Sequence, residues 1–431
     1  MSNHDLSSRI SDWVRSHRDE VLETLRGYIA IESINTPPTG GEKGAQMAFA
    51  GMARALGCDV DVYEISSVPG LLEHPHYWRE RPCTGRPNVN AVRKGKGKGG
   101  GRSLLLSGHM DTISIGPDPW SKNPFGGEID NGKLYGLGAY DMKGGVAASL
   151  CVVKALNDLQ VDLRGDLLIE SVVDEEAGGS NGTLAARLKY NADFAILTEP
   201  TNGAVCPGTL GCLIVKVTFR GEPGIVVGTQ RPIDPVVGVA RFIDFLVSWH
   251  EGMDSKWPRP QMYRDIPLPP MRVTQLKAGQ TELVFMGERV PSHAWVNVLL
   301  STFPNQQQEE VFDQLRHDFA LAQQQDPILA QFEPEWKFVR WLQGSTMDEE
   351  HPGIRTLVNA VENVTGDSPS IQGFPAPCDA YMFTLHSPTP VVIFGPTGSG
   401  AHAPDEHIEI EPYLQFVEAL IRVTIDWCEP A

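Results

Sequence analysis

Hydrophobic positions along the chain follow two spacings, and together they predict a mixed α/β protein. Apolar residues three and four positions apart indicate helices, whereas short apolar or alternating runs indicate strands. This periodicity predicts helices over residues 6–34, 44–56, 144–159, 235–249, 307–323, 353–365 and 412–427, and strands over 60–65, 88–93, 104–106, 166–173, 192–198, 212–220, 272–277, 295–302 and 390–394.

The order of these elements predicts an α/β domain interrupted by a second, smaller domain. In the first part, buried strands end in acidic residues or histidine and are followed by helices, and ligands bind beyond the carboxyl ends of strands in such sheets. After Pro207 the order becomes β-α-β-β-α, which is typical of a compact α+β domain. We therefore predict one domain from residues 1–207 and 328–431 and an inserted domain over 208–327.

The composition of the chain limits the partners that it is expected to bind and the cellular compartment in which it is expected. A chain of 431 residues has room for two cores, and its net charge of −18 argues against nucleic acid as a partner. The sequence contains no long apolar run and no N-terminal signal-like stretch, so we expect no membrane span and a cytoplasmic protein. Seven scattered cysteines without a CxxC pair argue against a disulfide framework and a cysteine zinc site.

A run of lysine and glycine at residues 93–102 allows two interpretations. It could bind phosphate, or it could be a solvated hairpin turn. We favour the turn, because the glycines do not open a helix and no Gly-Lys-Ser/Thr follows.

Candidate chemistry begins at the end of the strand that starts at Leu104. His109 and Asp111 are two residues apart, which places both side chains on one face of a strand. Asp111 could then accept the second ring N–H of His109 and fix its tautomer. Taken alone, this pair is also typical of a polar strand end.

Further acids and a histidine follow at other strand ends. Asp141 precedes a helix and could be a cap, three acids at residues 174–176 could form a solvated turn, Glu199 could be incidental, and His402 could be a surface residue. Three adjacent acids repel one another unless a cation lies among them. Metal-dependent hydrolysis requires histidine and carboxylate ligands of this kind, together with one free carboxylate to move a proton.

In this order and with their flanking residues, the motifs resemble one metallopeptidase family, which includes acetylornithine deacetylase, succinyl-diaminopimelate desuccinylase, aminoacylase and glutamate carboxypeptidase. Its pattern is Gly-His-x-Asp-Thr, then Tyr-Gly-x-Gly-x-x-Asp-Met-Lys-Gly-Gly, Asp-Glu-Glu-x-Gly-Gly, Glu-Pro-Thr, and a late His followed by Pro-Asp-Glu. All five motifs are present, between residues 108 and 406.

The resemblance implies a ligand set for two divalent metal ions. Asp141 would bridge them, His109 and Glu199 would complete one site, and Glu176 and His402 the other. One or two ions per subunit are expected, with Zn²⁺ as the first expectation and Mn²⁺ or Co²⁺ as alternatives.

The same resemblance implies the remaining roles. Glu175 would be the general base and later the acid, and Asp111 would orient His109. The implied fold is a mixed-sheet, zinc-exopeptidase-like catalytic domain with an inserted ferredoxin-like lid, through which two copies would form a homodimer.

The chain departs from this family where substrates are usually recognised. Ile225 stands where the lid usually has a histidine, and the strand containing Ser301 lacks the usual arginine. The usual Asp-Ala-Arg ends in Tyr381, and Leu137 replaces the arginine of Gly-Arg-Gly. These changes leave the substrate open.

Three functions remain in competition. The first is hydrolysis of an amide in a small molecule, such as an N-acyl amino acid or short peptide. The second is a metal-dependent aminohydrolase that acts on a small non-peptide molecule, such as an aromatic nitroanthranilate, which the altered lid favours. The third is a non-catalytic binding protein, which would have no use for Glu175 as a base, so its presence argues against this hypothesis.

Overall fold

The structure is a computed structural model, and it describes residues 3–36, 40–97, 100–178, 181–227, 229, 231–267, 271–279 and 289–431. Residues 98–99 of the lysine and glycine run and Gly179 of the acidic motif lie outside these ranges. The contacts within the described chain divide it into two compact units, which are residues 1–208, 346–374 and 378–431, and residues 209–345 and 375–377.

Helices and strands alternate along most of the chain. The α-helices of the described residues are α1 Asn3–Ser16, α2 Arg18–Ile29, α3 Lys43–Ala55, α4 Lys143–Asp158, α5 Asn181–Lys189, α6 Pro235–Glu251, α7 Met253–Lys256, α8 Gln308–Gln325, α9 Pro352–Thr365, α10 Ala380–His386 and α11 Ile410–Cys428. The strands are β1 Asp59–Glu64, β2 Pro87–Arg93, β3 Leu104–His109, β4 Ile129–Asp130, β5 Lys133–Tyr135, β6 Leu167–Val172, β7 Phe194–Leu197, β8 Val205–Thr209, β9 Gly211–Arg220, β10 Arg272–Ala278, β11 His293–Thr302, β12 Glu335–Leu342, β13 Ser345–Thr346, β14 Ile371–Phe374, β15 Val391–Ile393, β16 Gly398–Ser399 and β17 His407–Glu409.

The first unit is built on a large mixed sheet. Its strands follow the order β1-β2-β6-β3-β7-β15-β8-β13, with β14 paired to β8. The neighbours β6, β3, β7 and β15 run parallel, whereas β1 and β2 are antiparallel. The predicted mixed-sheet α/β class is therefore confirmed.

The parallel register brings several strand ends to one edge of the sheet. His109 at the end of β3 is paired with Val172 at the end of β6, and Ser107 of β3 is paired with Leu197 at the end of β7. The acidic residues that follow β6 and β7 therefore begin beside His109.

The core of the first unit explains why this edge is well defined. Strand β3 is buried along its whole length, and α4 and α11 contribute apolar side chains to the same core. Burial of apolar surface is the main favourable term in folding, so a strand enclosed in this way presents its last residue at a fixed position.

The second unit has a four-stranded antiparallel sheet in the order β10-β11-β9-β12, with α6 and α8 in its core. From the sequence, this domain was predicted to end at residue 327 and the first domain to begin again at 328. In the structure the boundary lies later in the chain. Strand β12 pairs with β9, and the unit continues to Ser345. The added strand completes the β-α-β-β-α-β order of a ferredoxin-like unit.

One predicted helix is also divided in two. The helix expected over residues 6–34 is α1 and α2, separated at His17, whose φ of −105° and ψ of 16° leave the helical region. The ring of His17 stacks on Trp13 with centroids 4.6 Å apart.

Candidate metal centre

The predicted ligands come from five separate segments of the first unit. His109 ends β3, Glu176 lies in the turn after β6, Glu199 follows β7, and Asp141 lies just before α4. His402 lies in the loop between β16 and β17 and has a positive φ of 59°, a conformation that is costly for a residue with a side chain. The fold brings all five together.

Asp141 lies between two groups of potential ligands. The Nε2 atom of His109 is 3.4 Å from Oδ1 of Asp141 and 3.7 Å from Oε1 of Glu199. On the other side, Nε2 of His402 is 2.9 Å from Oε2 of Glu176 and 3.6 Å from Oδ2 of Asp141. In each group, one atom per residue lies within 4.8 Å of the others. The two oxygens of one carboxylate thus face two different ligand groups.

Glu175 lies beside these groups and belongs to neither. Its Oε2 atom is 3.8 Å from Nε2 of His109, and its side chain is 14% exposed. A carboxylate that faces the ligands without joining either group is placed to exchange a proton with a reacting molecule.

Asp111 has a different set of contacts from the predicted one. Its backbone carbonyl, at 2.9 Å, is the hydrogen-bond partner of Nδ1 of His109, whereas its carboxylate lies 3.6 Å from that atom. The carboxylate instead accepts hydrogen bonds from the backbone N–H of Glu175 at 3.3 Å and of Glu176 at 2.9 Å. The side chain of Asp111 therefore holds the acidic turn, and its main chain holds the imidazole.

The buried carboxylates of this cluster favour the binding of cations. Burial raises the pKa of both Glu175 and Glu199 well above their usual range, and the charge of Asp379 raises that of Glu175 further. Oε1 of Glu199 is buried and accepts no hydrogen bond from the described residues. Several buried carboxylates that crowd together are costly unless a cation compensates them, and His and carboxylate are ligands that Zn²⁺ and Mn²⁺ accept. The residues present therefore fit divalent metal ions.

Glu406, the last residue of the Pro-Asp-Glu motif, has no role in the predicted site. Its carboxyl oxygens accept the backbone N–H groups of Gly138 at 2.8 Å and of Tyr140 and Asp141 at 2.9 Å. Glu406 is 2% exposed. One side chain thus ties the His402 loop to the loop that presents Asp141.

Asp379 was missed for a similar reason. It is buried, accepts a hydrogen bond from the hydroxyl of Thr183, and burial raises the pKa of its carboxyl to about 7. Asp379 begins the Asp-Ala-Tyr segment, in which only Tyr381, the replacement for the usual arginine, had been singled out from the sequence.

A mixed α/β sheet with histidine and carboxylate side chains gathered at the ends of its parallel strands is the arrangement of the zinc-exopeptidase-like fold class. The sequence profile of peptidase family M20/M25/M40 matches residues 105–426, and the chain belongs to this family. The predicted family is confirmed, and the chain is a hydrolase that acts on carbon–nitrogen bonds.

Several similar proteins match this chain over nearly its full length. The chain is 24% identical over 437 residues to N-formyl-4-amino-5-aminomethyl-2-methylpyrimidine deformylase of Bacillus subtilis (strain 168), covering 96% of both proteins. It is 25% identical over 409 residues to succinyl-diaminopimelate desuccinylase of Gluconacetobacter diazotrophicus, covering 92% of this chain and 94% of that protein. The structure of human carnosine dipeptidase 1 superimposes with a TM-score of 0.74 at 18% identity, covering 98% of this chain and 99% of that one.

Two further predictions concern the rest of the chain. All seven cysteines lie within the described ranges and are buried, and none forms a disulfide. No helix in the described part of the chain combines the length and the apolar character needed to cross a bilayer.

Proposed function

We propose that this protein is a metal-dependent hydrolase that removes a short acyl group from the nitrogen of a small molecule. The observation that carries the proposal is the pair of ligand groups that share Asp141, with Glu175 free beside them. Divalent ions held by these two groups would stabilise the negative charge that develops on the amide oxygen.

The ligand roles follow from the two groups. His109, Asp141 and Glu199 would hold one ion, and Asp141, Glu176 and His402 the other. Zn²⁺ is the first candidate for this donor set, with Mn²⁺ and Co²⁺ as alternatives. When bound, the ions would polarise the substrate carbonyl and favour deprotonation of the attacking water.

Glu175 would perform both proton transfers. Its carboxylate takes a proton from the water that attacks the carbonyl carbon, and the new C–O bond forms as the carbonyl accepts an electron pair. The same proton then passes to the amide nitrogen as the C–N bond breaks, which yields a carboxylic acid and an amine.

The proposed substrate is supported by two features. A relative named as a deformylase of an N-formyl aminopyrimidine matches this chain over 96% of both lengths, which supports a short acyl group. In addition, the strand that contains Ser301 lacks the arginine that, by the family resemblance, binds a substrate carboxylate. A substrate without a carboxylate would not require that arginine.

We further propose that the second unit, residues 209–345, is a lid and dimerisation domain. Its edge strand β10 exposes Val273 and Leu276 at 37% and 53%. An exposed edge strand with apolar side chains is a surface on which a second chain can pair.

A substrate panel tests this function. Metal-loaded protein would be assayed with an N-formyl aminopyrimidine, N-acetyl and N-succinyl amino acids, dipeptides and a nitroanthranilate, with Glu175→Gln as the matched control. We expect release of free amine from an N-acyl compound, at a rate about 10²–10⁴ times lower in Glu175→Gln. Release of ammonia from the nitroanthranilate without cleavage of any amide would instead establish the aminohydrolase.

A further inference from the structure

Two buried arginines lie behind the acidic turn, and the proposed catalytic roles do not use them. Arg81 and Arg86 are 3% and 2% exposed, and both precede or adjoin strand β2. Buried guanidinium groups are costly unless carboxylates pair with them and their donors are satisfied. The residues that pair with these two arginines therefore indicate which segment of the chain the arginines support.

Both arginines contact Asp174, the first residue of the acidic turn. Nε of Arg81 donates to Oδ1 of Asp174 at 2.9 Å, and Nη1 of Arg86 donates to the same oxygen at 3.0 Å. Asp174 has a φ of 70°, in the left-handed region that residues with a side chain seldom adopt. Such a conformation persists only where the surrounding contacts enforce it.

The arginines also hold Asn35, which connects them to Asp111. The side-chain oxygen of Asn35 accepts hydrogen bonds from Arg81 and, at 3.2 Å, from Nη2 of Arg86. Its amide group donates to Oδ2 of Asp111 at 2.7 Å. The orientation of Asn35 is thus fixed, because the arginines can only donate and the carboxylate can only accept.

Asp111 connects these hydrogen bonds to the acidic turn. Its carboxylate accepts the backbone N–H groups of Glu175 and Glu176, the candidate base and a candidate ligand. A continuous set of hydrogen bonds therefore runs from the arginines through Asn35 and Asp111 to the main chain of both glutamates.

We propose that Arg81, Arg86 and Asn35 are positioning residues of the metal centre, which fix the backbone of Glu175 and Glu176 through Asp174 and Asp111. This inference rests on the proposed function, because it assigns the support of the same site. Glu42 completes the set by accepting hydrogen bonds from Arg86, including one at 3.2 Å from Nε.

Arginine has a specific advantage here. Its planar group donates several hydrogen bonds in fixed directions, whereas lysine offers a compact charge on a flexible stem. Arg86 uses this property to reach Glu42, Asp174 and Asn35 at once. Arg86→Lys should therefore keep the charge and lose the geometry.

Metal affinity is the first measurement. Asn35→Ala, Arg81→Met, Arg86→Met and Arg86→Lys would be titrated with Zn²⁺ after chelator treatment. The control is Arg187→Met, which removes an arginine that is equally buried and whose ion pair is with Glu170 of β6, a residue outside the acidic turn. Substitution of groups that support metal ligands typically costs 10–100-fold in affinity, and we expect a loss of that size in the four variants and less than threefold in the control.

A second measurement uses metal-free protein and so does not depend on the proposed function. Hydrogen exchange of residues 173–178 reports whether the N–H groups of Glu175 and Glu176 are held. We expect exchange at least ten times faster in Asn35→Ala than in wild type, and unchanged in Arg187→Met. Asn35→Ala changes no charge, so it keeps the test available if an arginine variant does not fold.

The outcomes separate the two proposals. If folded Asn35→Ala exchanged the amide hydrogens of residues 173–178 at the wild-type rate and bound Zn²⁺ with wild-type affinity, the positioning role would be overturned. A wild-type protein that binds no Zn²⁺, Mn²⁺ or Co²⁺ would overturn the proposed function, and the exchange rates would then decide the positioning role alone.

Discussion

At the scale of single residues, Asp141 is the group on which both candidate metal sites depend. Its Oδ1 atom faces His109 and its Oδ2 atom faces His402, at 3.4 and 3.6 Å. Each of the other candidate ligands belongs to only one group. Loss of Asp141 should therefore affect both sites, whereas loss of another ligand should affect one.

This difference gives the first prediction. Asp141→Asn should lower the bound metal from two ions per chain to less than one at micromolar free Zn²⁺, because the neutral amide is a poorer ligand at both sites. Elemental analysis after dialysis measures it. Asp130→Asn, at an ion-paired surface carboxylate, is the control and should keep wild-type metal content. Two tightly bound ions in Asp141→Asn would refute the shared-ligand role.

The second prediction concerns Glu175. Glu175→Gln should keep the fold and the metal content and lower kcat by about 10²–10⁴-fold, because an amide cannot take the proton of the attacking water. Steady-state kinetics on the best substrate of the panel measures the change. A kcat within threefold of wild type would remove Glu175 from the role of base.

At the scale of elements, loops are held by side chains that are distant in sequence. Glu406 follows the His402 loop and binds three backbone N–H groups of the loop that contains Asp141. Burial raises the pKa of its carboxyl to about 8, an effect that outweighs these three hydrogen bonds. The folded chain therefore keeps a proton that the unfolded chain releases near pH 4.5.

This shift predicts how stability depends on pH. Because the pKa is raised on folding, the stability that this proton contributes is present at low pH and is lost as the pH rises from about 4.5 to about 8. In Glu406→Gln that titration is absent. The free energy of unfolding of metal-free wild type minus that of Glu406→Gln should thus fall by about 1.4 kcal/mol per pH unit across the window.

Urea unfolding at several pH values between 5 and 8 measures this difference. Glu349→Gln, at an exposed carboxylate, is a control on the surface of the same unit. A constant difference between wild type and Glu406→Gln over this range would contradict the raised pKa of Glu406.

Some residues of the candidate site could be predicted from the order of strands and helices in the sequence, and others could not. The proximity of His109 and Glu199 was predictable because parallel strands end at one edge of a sheet, whereas their roles as ligands came from the family resemblance. Glu406 and Asn35 act on partners far along the chain, as in the contact between Asn35 and Asp111. Such pairings depend on the tertiary fold, and local spacing carries no sign of them.

The same distinction applies to the fold. The buried strand β3 was evident from its apolar run, whereas β12 was missed because most of its side chains are exposed or half-buried. An edge strand of this kind is defined by its pairing with β9, which lies more than a hundred residues earlier. Its absence from the prediction placed the domain boundary at residue 327 in place of 345.

At the scale of the whole molecule, the proposed dimer can be tested through strand β10. Sedimentation should give about twice the chain mass of 47.2 kDa. Leu276→Arg should shift the protein towards monomer, because a charge would be buried in the interface. Leu72→Arg, at an apolar residue of the first unit that is 41% exposed, is the control and should remain dimeric. A wild-type monomer at micromolar concentration would contradict the dimer.

The most direct test of the central claim is the rate of amide hydrolysis as metal is removed and restored. The two ligand groups around Asp141 predict that chelator-treated protein, free of metal by elemental analysis, has less than about 1% of its activity, since the ions supply most of the charge stabilisation. Activity should return with Zn²⁺, Co²⁺ or Mn²⁺ and reach its plateau near two ions per chain. Undiminished hydrolysis by protein shown to contain no metal would contradict the claim.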